Sequence, residues 1–206
     1  MPKGSAELTD QRKNEIICAC EKLYQSKGFR DITLKDISVE TTFSRPSIYN
    51  YFETKEEIFL ALLTREYEAW IQDLRQISTK TGTLTCDEFS QQIARSLEKR
   101  TTLLKISAMN LYEIEDKSRL ERLVEFKIAF RGSMEAFTQC LEKCLPDCSP
   151  ARLDEIRYAF FPFMYGIYPY THPTQKQCEA MEQAKITYEV QSVNHLICRF
   201  FGQILK

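Results

Sequence analysis

Apolar residues recur three and four apart through most of the chain, the spacing that lays them along one face of an α-helix. From Thr9 to Lys27, Ile16, Cys20 and Leu23 keep this period, with Ala19 and Tyr24 beside them. Gly28 stands where a C-terminal cap belongs, and Phe29 follows as the apolar contact that accompanies such a cap. Thr33-Leu34-Lys35-Asp36 has the Ser/Thr-x-x-acid form of a helix start and turns Leu34 and Ile37 inward. After the link Thr41-Thr42-Phe43, Ser44 stands as the N-cap of a further helix, with Arg45 and Pro46 in its opening turn, where a missing N–H costs nothing. Ile48 and Phe52, four apart, share its buried side. Arg45 with Tyr49, Pro46 with Asn50 and Ser47 with Tyr51 are left for the outer side. Thr54-Lys55-Glu56-Glu57 is a second capping box, its two glutamates expected in solvent. Two short helices joined by a tight turn and braced by a longer one form a helix-turn-helix.

The remaining pattern is helical throughout. A helix from about Thr54 to Ile77 carries Ile58, Leu62, Tyr67, Trp70, Leu74 and Ile77, and Thr79 to Thr83 form a turn. Residues 85–112 follow, with a break near Thr101-Thr102. A long helix from Asp116-Lys117-Ser118 stops before Pro146, and another, N-capped by Ser149 with Pro150 at its first position, runs to about Tyr168. The last spans about Thr187 to Ile204. Strand alternation, internal repeats and low-complexity tracts are absent from the sequence, so the expected class is all-α. The expected division is residues 1–54 as a DNA-binding domain and 55–206 as a helical ligand-binding and dimerisation domain.

Composition narrows the function. No stretch approaches the roughly 20 apolar residues of a membrane span, and Met1-Pro2-Lys3-Gly4-Ser5 leads into charge without a signal-peptide core. Eight cysteines without a small secreted framework point to reduced thiols in a cytoplasm. The net charge is −1, and residues 1–55 hold nine Lys or Arg against eight Asp or Glu. DNA binding on this balance needs local placement of charge, helix N-termini aimed at phosphates and two copies acting together. Nucleophile–base pairs, Gly-rich phosphate loops and perturbed carboxylate pairs are not evident, which weighs against an all-helical enzyme or ligand carrier with a vestigial reader.

Gly28-Phe29, Thr33, Ile37-Ser38, Phe43-Ser44-Arg45, Ile48-Tyr49-Asn50-Tyr51-Phe52 and Lys55-Glu56-Glu57-Ile58 together resemble the N-terminal signature of TetR-type transcriptional regulators. Many members carry His where this chain has Tyr51, a residue that keeps a hydroxyl but cannot become cationic. The resemblance implies a dimeric repressor, not an enzyme, that needs no cofactor and leaves a near-palindromic operator when a small, largely apolar effector fills its body. It places Thr33, Arg45, Pro46, Ser47, Tyr49, Asn50, Tyr51 and Lys55 on the DNA. Arg45 and Asn50 are the expected base readers, because they offer bidentate edges to guanine and adenine. Thr33, Tyr49, Tyr51 and Lys55 are the expected phosphate contacts.

The body offers two further sites. Pro162 within a helical run frees the carbonyl of Tyr158 and predicts a kink among aromatic rings, with Gly166 and Pro169 ending the helix. An apolar pocket is expected there, lined by Met109, Phe126, Phe130, Phe161, Met164, Tyr165 and Tyr168. Leu153, Ile156 and Phe160 in one helix and Val190, Val193, Ile197 and Phe201 in the last form apolar stripes, expected as a four-helix seam between two subunits. Cys140, Cys144 and Cys148, even with Cys178 or His172, are too loosely spaced for zinc and read as buried or idle thiols, with a Cys144–Cys148 redox pair as the alternative.

Overall fold

The computed structural model describes residues 3–80 and 82–205, which form eleven α-helices and, among the described residues, no strand. They pack as two compact units that do not follow a single cut in the sequence. One comprises residues 1–66 and 110–130; the other comprises 67–109 and 131–206. The linear division expected at residues 54 and 55 therefore leaves out a segment, 110–130, that folds with the first unit.

In the first unit, α1 (Lys3–Ser26) buries Ile16, Ile17, Ala19, Cys20, Leu23 and Tyr24. Gly28 does not take the left-handed cap expected of it. Its φ of −72° and ψ of 156° are extended, and it opens a short 3-10 turn, Phe29–Asp31. A Cβ there would lie 2.8 Å from the Asp31 Oδ2 atom, a contact that a shift of the exposed Asp31 carboxylate would relieve. Helices α2 (Leu34–Val39) and α3 (Arg45–Ile48) follow, with Ile37, Ile48 and Phe52 at most 1% exposed. Helix α4 (Lys55–Ser78) begins here with Ile58, Phe59, Leu62 and Leu63 in the core. Helix α7 (Leu111–Asp116) and the start of α8 (Leu120–Cys144) complete the unit, joined to α1 by the Tyr24 hydroxyl, which donates to Asn110 Oδ1 at 3.0 Å.

The second unit is built around an aromatic core. It holds the rest of α4 and α8, with α5 (Cys86–Glu98), α6 (Thr101–Met109), α9 (Pro150–Thr171), α10 (Gln175–Gln183) and α11 (Val193–Ile204). Phe137 stacks on Phe160 at 4.6 Å, and Phe201 meets Phe89 and Phe160 at 5.0 Å each. Trp70 is fully buried and donates its indole N–H to Ser96 at 3.0 Å.

Several boundaries differ from the expected ones. The break expected at Thr101-Thr102 falls at Lys99-Arg100, and residues 111–116 form the separate helix α7. Helix α9 does not end at Gly166 or Pro169; it passes through Pro162, Gly166 and Pro169 to Thr171. The last helix starts at Val193, not near Thr187, and α10 lies in a stretch to which the sequence assigns no helix.

Candidate nucleic-acid interface

The outer face of residues 30–56 is built on the starts of α2, α3 and α4, of which the first and last are capped by a side chain. At α2 the Thr33 hydroxyl accepts from the Asp36 amide at 3.2 Å, while the Asp36 carboxylate accepts from the Thr33 amide at 2.9 Å. The Thr33 hydroxyl, which also donates to the Asp36 carboxylate at 2.5 Å, and the Thr33 amide, with Lys27 nearby at 3.2 Å, hold the Asp36 carboxyl down at about 2. Asp36 is thus committed to the cap of α2, with Lys27 beside its charge. Ser44 does not cap α3 through its side chain. Its carbonyl accepts from the Ser47 amide at 2.9 Å, and the two serine hydroxyls pair at 3.0 Å.

A concave surface of about 510 Å³ lies between these starts, lined by Arg30, Thr33, Lys35, Arg45, Thr54 and Lys55 among others. It brings together three of the eight residues expected on DNA, Thr33, Arg45 and Lys55. Arg30 and Lys35 are additions. Both are exposed, and neither makes an ion pair among the described residues. Their signal was in the sequence: Arg30 follows the Gly28-Phe29 turn, and Lys35 sits in the first turn of a helix capped by Thr33. Beside this hollow Pro46, Tyr49 and Asn50 are exposed and Ser47 is half-buried. Arg45 donates to the Tyr49 hydroxyl at 3.2 Å, so the two present one combined surface. Tyr51 is half-buried; its hydroxyl accepts from Arg12 at 3.2 Å, and Arg12 also lies over the Phe43 ring.

Lys55 has a different environment from the free phosphate contact expected of it. Its ammonium donates to the carbonyls of Phe29 at 2.8 Å and Ile32 at 3.1 Å and stands 4.4 Å from the Phe29 ring centre. It ties the 3-10 turn to the start of α4. The expected exposure of Glu56 and Glu57 is also corrected: they are 8% and 0% exposed. The Thr54 hydroxyl does cap the Glu57 amide at 3.2 Å, but Glu57 does not close the box on Thr54. Its carboxylate accepts instead from the Glu53 amide at 2.9 Å and from Arg119, Nε at 2.5 Å and Nη2 at 2.9 Å. Burial alone would raise the Glu57 carboxyl, but the Arg119 guanidinium and the amides of Glu53 and Arg119 outweigh it and hold it below the usual range. Arg119 also reaches Glu53 at 2.9 Å, and Arg122 donates to the Tyr51 carbonyl at 3.2 Å. Two arginines at the start of α8 thus tie it to α4 and to the turn between α3 and α4, a role that period and motif did not indicate.

The other expected sites lie elsewhere. Phe126 and Phe130 belong to the first unit, whereas Met109, Phe161, Met164, Tyr165 and Tyr168 belong to the second. Phe126, Phe161 and Met164 are buried and Met109 is 57% exposed. The Tyr67 hydroxyl donates to that of Tyr165 at 3.1 Å. The expected dimer stripe is corrected more sharply. Leu153, Ile156, Phe160, Val193, Ile197 and Phe201 are buried inside their own chain, because α11 lays them against α5 and α9. Val190, in contrast, is 50% exposed and precedes α11. The apolar surface left open on α9 and α11 is another set: Phe163, Gly166, Ile167, Tyr170 and Leu196 line an apolar groove of about 270 Å³, and Phe163 stacks on Phe200 at 4.3 Å. Among the described residues no three His, Cys, Asp or Glu side chains are grouped to hold a metal, and no helix is long and apolar enough to cross a membrane.

Residues 16–62 match the family model of bacterial regulatory proteins, tetR family, and residues 64–191 that of the tetracyclin repressor-like C-terminal domain. An HTH-type transcriptional regulator of Bacillus subtilis, YfiR, is 39% identical over 62 residues, 30% of each chain. The HTH-type transcriptional activator FasR of Mycolicibacterium smegmatis is 24% identical over 74 residues, 36% of this chain and 34% of its own. These alignments span about a third of the relatives' length. Among solved structures, the fatty acid degradation regulator FadR from Bacillus halodurans superposes with a TM-score of 0.61 at 13% identity, covering 94% of both chains. FadR from Bacillus subtilis, described in complex with stearoyl-CoA, gives 0.61 at 15% identity over 93% of this chain and 97% of its own.

Proposed function

Since the chain belongs to the TetR family of bacterial regulatory proteins, we propose that it represses transcription from a near-palindromic operator as a cytoplasmic homodimer and leaves that operator when a small, largely apolar ligand binds the body. The observation that carries this reading is the exposed set Arg30, Thr33, Lys35, Arg45, Tyr49 and Asn50 on a buried scaffold. Hydroxyls and cations at helix starts suit phosphates, and the amide and guanidinium edges suit bases. Arg45 and Asn50 read bases in this proposal; Thr33, Lys35 and Tyr49 hold phosphates. Lys55 acts through the fold rather than by reaching DNA.

The dimer seam follows the surface that α9 and α11 leave open, with Phe163, Gly166, Tyr170, Leu196 and Phe200 facing a second copy. Fluorescence anisotropy with DNA flanking the chain's own gene tests the reading: tight, salt-sensitive binding to one fragment over unrelated DNA is expected. Equal affinity for all fragments would refute it. Effector screening starts with long-chain acyl-CoA thioesters, on the strength of the B. subtilis FadR complex. Dissociation of the bound fragment is the readout.

A further inference from the structure

We propose that Cys86 and Cys144 are a redox-modification site, closing to a reversible disulfide when the protein meets a peroxide. Cys86 is the first residue of α5 and Cys144 the last of α8, 58 residues away, yet the Cys144 thiol donates to the Cys86 sulfur at 3.7 Å. That is sulfur–sulfur contact, and a bond requires the two atoms to close to about 2.05 Å. Helix ends yield more readily than helix middles, and these two ends are already tied together, with the Leu84 amide donating to the Lys143 carbonyl at 3.4 Å. The neighbouring thiols are otherwise engaged: Cys140 donates to the Leu74 carbonyl at 3.2 Å and Cys198 to Asn194 at 3.6 Å. Cys148, the partner expected for Cys144 from sequence, lies past the end of α8 in the 145–149 turn. The sulfur beside Cys144 is that of Cys86.

The chemistry is ordered by access. Cys86 is half-buried and Cys144 is 8% exposed, so an oxidant reaches Cys86 first. The Cys86 sulfur attacks a peroxide oxygen, the O–O bond breaks, and Cys86 becomes a sulfenic acid while the peroxide leaves as water or an alcohol. Cys144 then attacks the Cys86 sulfur, the S–O bond breaks, and hydroxide departs with the Cys144 proton as a second water. Two thiols lose two electrons and two protons, and the peroxide gains them. Burial and the neighbouring sulfur push the Cys144 thiol up to about 12, so it keeps its proton until that second step.

The test treats the purified full chain with a few equivalents of hydrogen peroxide, blocks remaining thiols with N-ethylmaleimide, and maps peptides without reduction. The expected result is a peptide joining Cys86 to Cys144, six of the eight thiols alkylated, and reversal by dithiothreitol. The cross-link closes a long loop, so the oxidised protein should melt on the order of 10 °C higher. Cys86→Ser should abolish both the linked peptide and the shift, while Cys148→Ser keeps both. A Cys144–Cys148 or Cys140–Cys144 link would overturn the proposal, as would oxidation that stops at Cys86 or falls only on exposed Cys18 and Cys178.

Discussion

Asp36, Lys55 and Arg45 show how far a side chain's type can mislead about its task. Asp36 is an acid on the face proposed to read DNA, yet it serves Thr33 as half of a capping box. Its carboxyl, held at about 2, stabilises α2 above the ordinary carboxylate range and loses that effect as pH falls through 2. Carbon-detected NMR titration should find Asp36 titrating near 2 in the folded protein, and Thr33→Val should return it toward the usual value. Lys55 looks like a phosphate contact but grips two carbonyls. Lys55→Ala should therefore lower the melting temperature while leaving the salt dependence of DNA binding nearly intact. Lys35→Ala should do the reverse, reducing the salt slope by about one per monomer without altering sequence preference. Arg45→Ala should relax preference at particular base pairs at about 1–3 kcal/mol each, read by competition with operator variants. A Lys55→Ala variant with normal stability and a reduced slope would return that residue to the DNA.

Between elements, the decisive bond is the one from Glu57 to Arg119. The Glu57 side chain is fully buried, so removing the Arg119 guanidinium leaves its charge only the amides of Glu53 and residue 119, though the 41% exposure of the Arg119 side chain lets water soften the loss. Arg119→Ala should lower the urea-unfolding midpoint and weaken operator binding. Because the Glu57 carboxyl is held down in the folded state, the contribution is present above its unfolded value near 4 and fades as pH drops below it. Wild type should thus lose more stability than Arg119→Ala between pH 6 and 3. Pro162 is a milder case. Helix α9 continues past it, so Pro162→Ala can restore a bond to the Tyr158 carbonyl and should stabilise the protein by about 1–3 kcal/mol. Helices with buried faces were legible in the sequence, as were Ile48 and Phe52 as anchors. Helix α10 was not, because it buries nothing and so lacks an apolar period; its one signal is the Thr174–Gln177 capping box. The Glu57–Arg119 pair was equally hidden, since 62 residues separate its members and local pattern carries no information at that range.

For the molecule as a whole, the stripe on α11 illustrates why periodicity identifies a buried face without saying what buries it. Val193, Ile197 and Phe201 are the core of their own chain, so Phe201→Glu should unfold the body rather than divide a dimer. Leu196→Glu, at the apolar groove, should give a folded monomer in sedimentation velocity with lost operator affinity. A dimeric Leu196→Glu would place the seam elsewhere. The interleaving of the two units bears on how such regulators can be recombined. A fusion that transplants only residues 1–66 onto a foreign body leaves Glu57 without Arg119 and the Tyr51 carbonyl without Arg122. New specificities assembled by splicing must exchange the segment 110–130 together with the reader, and the two stretches are then inherited as one trait despite the gap between them in the gene.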